Sequence, residues 1–137
     1  YGVVVVAYGV GVVIGHETRL AADEFASIEL DLIAVKGKTE PVLIYGLRGD
    51  AKEKATPEFK ALEEKHETMI TAYRGQQWDQ ASALISACRE LALHTSGEAH
   101  GLGGLGGLYD LYEERIAAYR VDPPGDDWDG VFVATSK

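Results

Sequence analysis

The residues of this chain best placed to do chemistry are the two lysines of Lys36-Gly37-Lys38, set between apolar runs in Ser27 to Leu47, SIELDLIAVKGKTEPVLIYGL. A lysine beside a glycine at a strand end is a mobile point charge that can reach a phosphate. The pair stands out because the 137-residue chain has 13 Lys and Arg against 22 Asp and Glu, a formal net charge of -9. That balance speaks against a nucleic-acid backbone as partner, which requires clustered cations. Taken alone, the same lysines read more readily as two solvated turn residues.

The remaining chemical candidates are weaker. His16 precedes Glu17, but adjacent positions on a helix do not face each other, so no acid/base pair is expected there. His94 and His100 lack cysteine partners or nearby ligands, and no metal site is expected of them. Cys88, the single cysteine, falls in an apolar helical stripe and reads as packing. A lone thiol forms no internal disulfide, which favours a reducing compartment. The stretch TSGEAHGLGGLGG, residues 95–107, follows a helix and lacks a Gly-Lys-Ser/Thr ending, so it reads as a flexible linker and not as a phosphate loop.

The elements that must position the lysines follow from periodicity. Ile28, Leu30, Leu32 and Ala34 alternate with Glu29, Asp31, Ile33 and Val35, which predicts a strand with one apolar face and one that begins charged. Val42 to Tyr45 is continuously apolar, predicting a second strand covered on both faces. With the turn Lys36 to Pro41 between them, the two runs predict a β-hairpin. Val10 to Ile14 reads as a preceding strand and His16 to Ala22 as a short helix. The opening YGVVVVAYGVGVVIG is too short and too rich in glycine for a membrane-spanning helix, and with Met69 as the only methionine the chain is expected to be part of a longer protein.

Beyond the hairpin the sequence turns helical. Residues 48–55, RGDAKEKA, are charged and without apolar periodicity, and mark a boundary. Thr56 as N-cap and Pro57 as first helical residue start a helix whose buried face is Phe59, Leu62, His66, Met69, Ile70 and Tyr73. After the break at Arg74 to Gln77, Trp78, Ala81, Ile85, Cys88 and Ala92 form the stripe of a second helix, packed antiparallel on the first. Leu108, Leu111, Tyr112, Arg115, Ile116 and Tyr119 define a third, stopped by Asp122, Pro123, Pro124 and Gly125. Val131 to Val133 within WDGVFVAT reads as a short strand that must dock on another element.

The run VKGKTEPVLIYGL resembles the last two strands of the catalytic domain of bacterial class III adenylate and guanylate cyclases, and Tyr8 to Leu47 follow that pattern. LYDLYEERIAAYRVDPPGDDWDGVFVATSK is similar to the extension that follows the cyclase domain in many membrane-anchored bacterial cyclases with an extracellular CHASE2 sensor. Tyr73, Trp78, Ala81, Ile85 and Cys88 resemble the aromatic and small-residue pattern of a tetratricopeptide repeat. These resemblances imply an α+β chain: a partial ferredoxin-like cyclase sheet of terminal strand, helix and hairpin over residues 1–48, a linker over 49–56, and a helical, tetratricopeptide-like extension with a short terminal strand over 57–137.

The same resemblance implies adenylate cyclase activity in an intact homodimeric parent, using a nucleoside triphosphate and Mg or Mn, at a cytoplasmic location. It assigns a phosphate contact to Lys36, with Lys38 as second choice. The family's metal-binding aspartates and its catalytic Asn and Arg would precede Tyr8, so the chain by itself is expected to be silent and to bind no metal. The alternative is a helical module that recognises a protein partner without catalysis, for which Tyr73, Trp78 and Tyr112 would have to present a groove.

Overall fold

The computed structural model describes residues 13–35, 40–95 and 105–134. The strand prediction for Val10 to Val12, the glycine-rich segment 96–104, and both Lys36 and Lys38 lie outside them. The described chain is α+β, in the order β1 (Val13–Gly15), α1 (His16–Ala21), β2 (Ala26–Val35), β3 (Val42–Gly49), α2 (Ala51–Lys54), α3 (Pro57–Arg74), α4 (Trp78–Ala92), α5 (Gly106–Val121) and β4 (Phe132–Ala134). The strands form one sheet in the order β1-β3-β2-β4. Both β1 and β2 run antiparallel to β3, and β4 is added parallel to the far edge of β2.

The hairpin is present, but its first strand does not alternate as predicted. The pairing shifts between Glu29 and Asp31, with Glu29 opposite Tyr45 and Asp31 opposite Ile44. An extra residue in one strand reverses the inside-outside order beyond it. As a result Leu30, Asp31 and Ile33 are all buried, while Leu32 is only half-buried. The second strand also departs from expectation, because Val42 is 44% exposed and full burial begins at Ile44. Val42 lies beyond the reach of β1, which stops opposite Ile44.

The segment read as a charged connection is partly regular. β3 continues to Gly49, and Asp50 then caps the short α2, its Oδ1 accepting from the backbone N–H of Lys52 at 3.0 Å and of Glu53 at 3.1 Å. Thr56 caps α3 as its sequence predicts, accepting from Phe59 N–H at 3.1 Å. All six residues assigned to the buried face of α3 are buried, joined by Ala72. Its C-terminus closes with Gln77 N–H on Ala72 O and Gln76 N–H on Tyr73 O, a Schellman arrangement. The left-handed position falls on Gln76, at φ 61°, one residue beyond Gly75.

A single hydrophobic core joins the sheet residues Ala26, Ile28, Leu30, Ile33 and Ile44 to the inner faces of α3, α4 and α5. Its aromatic wall consists of Tyr73, which meets Tyr112 edge-on at 4.8 Å between ring centres, together with Trp78, Tyr119 and Trp128. Among the described residues, no helix is long and apolar enough to cross a membrane.

Candidate functional site

The end of the hairpin borders an open cleft of about 700 Å³. Gly15, His16, Glu17 and Thr18 form one wall at the junction of β1 and α1; Leu32 and Glu40 to Ile44 form the other. Glu40 and Pro41, the described residues nearest the lysine pair in sequence, are exposed. No arginine or lysine lines this cleft among the described residues.

His16 and Glu17 do not act as a pair. Both are exposed, and the His16 ring turns toward Tyr45, with Nδ1 3.4 Å from the phenol oxygen and ring centres 6.2 Å apart. The Arg19 guanidinium lies 5.3 Å from the centre of the Tyr45 ring, within cation-π range.

A smaller pocket of about 80 Å³ lies between the sheet and α3, lined by Arg19, Ser27, Glu29, Tyr45, Glu63, His66 and Glu67, with Ile28. The volume suits two or three water molecules. Burial, followed by the charge of Glu29, raises the Tyr45 phenol above its usual value. Burial and then the neighbouring Glu67 raise the Glu63 carboxyl. Glu29 itself meets Arg74, with 2.6 Å between carboxylate and guanidinium atoms, at angles outside hydrogen-bond geometry.

His66 closes the inner end of this pocket and is fixed at both nitrogens. Nε2 lies 2.6 Å from the Glu29 carbonyl and Nδ1 2.9 Å from the Tyr109 hydroxyl. A carbonyl only accepts, so Nε2 bears the proton and Nδ1 receives the tyrosine O–H. Burial is the main reason that the imidazole pKa falls to about 4; the carbonyl bond opposes that shift and the charge of Arg74 adds to it. This neutral, doubly bonded histidine serves packing, as its place in the apolar stripe suggested.

The most concentrated electrostatics are inside the core. Arg115 Nη2 donates to Asp31 Oδ2 at 2.7 Å, with both side chains almost completely buried. Arg115 Nη1 lies 3.4 Å from the Tyr73 hydroxyl, and the guanidinium stacks 3.6 Å from the centre of the Phe132 ring. Burial works against the Arg115 charge, but the Asp31 hydrogen bond and charge outweigh it and its pKa is raised. Tyr112 donates to the Leu30 carbonyl at 2.6 Å. Among the described residues β4 pairs with 33–35, and the carbonyls of Glu29 and Leu30 are taken by His66 and Tyr112.

Glu29 and Asp31 each face a guanidinium. Among the described residues no group of three or more His, Cys, Asp or Glu could hold a metal. Among the described aromatic residues, Tyr73 and Tyr112 are fully buried, and Trp78 is half-buried against Tyr119 at 5.4 Å between ring centres. The Asp31–Arg115 pair is absent from the expectations, although Arg115 in an apolar helical stripe and Asp31 in an apolar strand signalled it jointly.

In comparisons with family models, with curated proteins and with solved structures, nothing matches the chain.

Proposed function

We propose that this chain is the C-terminal part of a class III adenylate cyclase catalytic domain together with its helical extension. In the intact dimeric parent, the ribose 3'-hydroxyl oxygen of ATP attacks the α-phosphorus. The bond to pyrophosphate breaks, the hydroxyl proton is lost, and cyclic AMP forms. The developing charge on the triphosphate calls for cations around it. Lys36 is one of these, a phosphate contact at the hairpin turn, with Lys38 as its nearest substitute.

One observation carries the reading. The strand, helix and hairpin expected from the resemblance over Tyr8 to Leu47 are matched in order by β1, α1, β2 and β3, and in sequence the lysines fall between β2 and β3, whose residues Leu32 and Val42 to Ile44 line an open cleft. In this reading the sheet is the terminal portion of a ferredoxin-like cyclase sheet, and α3 and α4 correspond to a tetratricopeptide-like pair. The catalytic centre needs a second catalytic domain, and its Mg or Mn ions are held by aspartates of the parent and not by Glu29 or Asp31.

The test is turnover by the intact parent with ATP and Mn²⁺. Cyclic AMP and pyrophosphate should appear in equal amounts, while the 137-residue chain assayed alone should give neither. A parent that forms no cyclic nucleotide, or a chain active by itself, would contradict the proposal.

A further inference from the structure

The segment that follows α5 is anchored on both the helices and the sheet. Gln76 Nε2 donates to the Gly125 carbonyl at 2.5 Å. The Trp128 ring packs 5.4 Å from Tyr73, 6.2 Å from Trp78 and 5.3 Å from Tyr119, and its Nε1 donates to Val131 O at 3.1 Å. Gly130, at φ +82°, passes so close to α3 that a Cβ there would lie 2.7 Å from Arg74 Cγ. Phe132 then covers the Arg115 guanidinium, and β4 pairs Ile33 with Phe132, Ala34 with Val133 and Val35 with Ala134.

The grip is local. A strand of three residues is held by few ladder bonds, so the two aromatic anchors supply most of its attachment. Trp128 binds the helices, while Phe132 and β4 bind the end of β2, immediately before the hairpin turn. The approach from α5 is solvated, with Val121 87% exposed and Asp122 and Pro123 exposed after it. Segments with few apolar contacts and a solvated entry open below the free energy of global unfolding.

We propose that residues 125–134 are a latch that opens as a local unit and holds the end of β2 in register. Its release frees the hairpin at residues 33–35 and uncovers the Asp31–Arg115 pair, while α3 and α4 stay folded. The latch stands without any cyclase chemistry. A further consequence, that the helical extension steadies the base of the phosphate-contacting hairpin, rests on the reading given above.

Hydrogen exchange measured by mass spectrometry on the full chain tests it, comparing the parent sequence with Phe132→Ala and Gly130→Ala. The second variant strains the left-handed backbone at Gly130 and pushes against the stem of Arg74 while leaving both aromatic anchors in place, so it remains informative where the first fails to fold. Either folded variant should exchange about tenfold faster or more across residues 30–35, with α4 as protected as in the unaltered chain. Unchanged protection at residues 30–35, or acceleration spread equally over α4, would overturn the latch, and neither result depends on whether cyclic nucleotide is formed.

Discussion

Arg115 on α5 and Asp31 on β2 lie 84 positions apart in sequence and meet at 2.7 Å inside the core, their side chains 6% and 1% exposed. The pair ties the last helix to the strand that leads into the lysine turn. Removing one partner of such a pair leaves the other charge buried, at a cost of roughly 3–5 kcal/mol, whereas replacing both with apolar residues can be nearly neutral. Asp31→Leu should therefore lower the urea midpoint severely, and Asp31→Leu with Arg115→Met should recover most of the loss. Strictly additive losses in the double variant would show that the ion pair is not the coupling.

His66 gives the fold an acid sensitivity whose sign follows from its buried, neutral state. Burial lowers its pKa from the usual 6.5 to about 4, so between those values the unfolded chain binds a proton that the folded chain does not. Stability from this group is complete above pH 6.5, falls as pH drops toward about 4, and does not change further below that value. The full swing is on the order of 3 kcal/mol at 1.36 kcal/mol per pKa unit. Urea unfolding of the unaltered chain and of His66→Gln from pH 7.5 to 4 isolates it; parallel curves would contradict the assignment.

Thr56 supplies the side-chain acceptor at the start of α3, with Phe59 N–H as donor at 3.1 Å. Thr56→Ala should cost ~1 kcal/mol in urea unfolding, and Thr56→Ser should retain nearly all of it. Equal losses from both substitutions would place the contribution in the threonine methyl and not in the cap.

The helical half was the more legible in sequence. Apolar residues at helical spacing picked out Phe59, Leu62, His66, Met69, Ile70 and Tyr73, all of them buried, because one helix face against one core leaves little freedom in the pattern. The hairpin was legible as an element but not in its detail. A single shifted pairing near Leu30 turns Asp31 inward, and a strict period of two cannot express such a bulge. Asp31 and Arg115 were each visible as charges in apolar surroundings; their pairing depends on tertiary packing, which no local window contains. The position taking the left-handed turn after α3 was also hidden, since Gly75 is the expected candidate and Gln76 occupies it.

The cleft at the end of the hairpin was not foreseen; only the lysines Lys36 and Lys38 were singled out in the sequence, and they lie outside the described residues. Their sequence context supplies the expectation of phosphate contact, and the cleft walls from Gly15 to Thr18 and Glu40 to Ile44 supply no cation of their own among the described residues. The functional proposal therefore converges on a single side chain.

The most direct measurement is steady-state cyclisation of ATP by the intact parent and its Lys36→Ala variant. A charge-assisted contact is worth about 1.5–3 kcal/mol, which corresponds to a loss in kcat/KM of roughly ten- to a hundredfold. The account predicts that loss, expressed chiefly as a raised KM for ATP and reduced at high ionic strength. Unchanged kinetics in Lys36→Ala would return the lysine pair to a solvated turn and contradict the account.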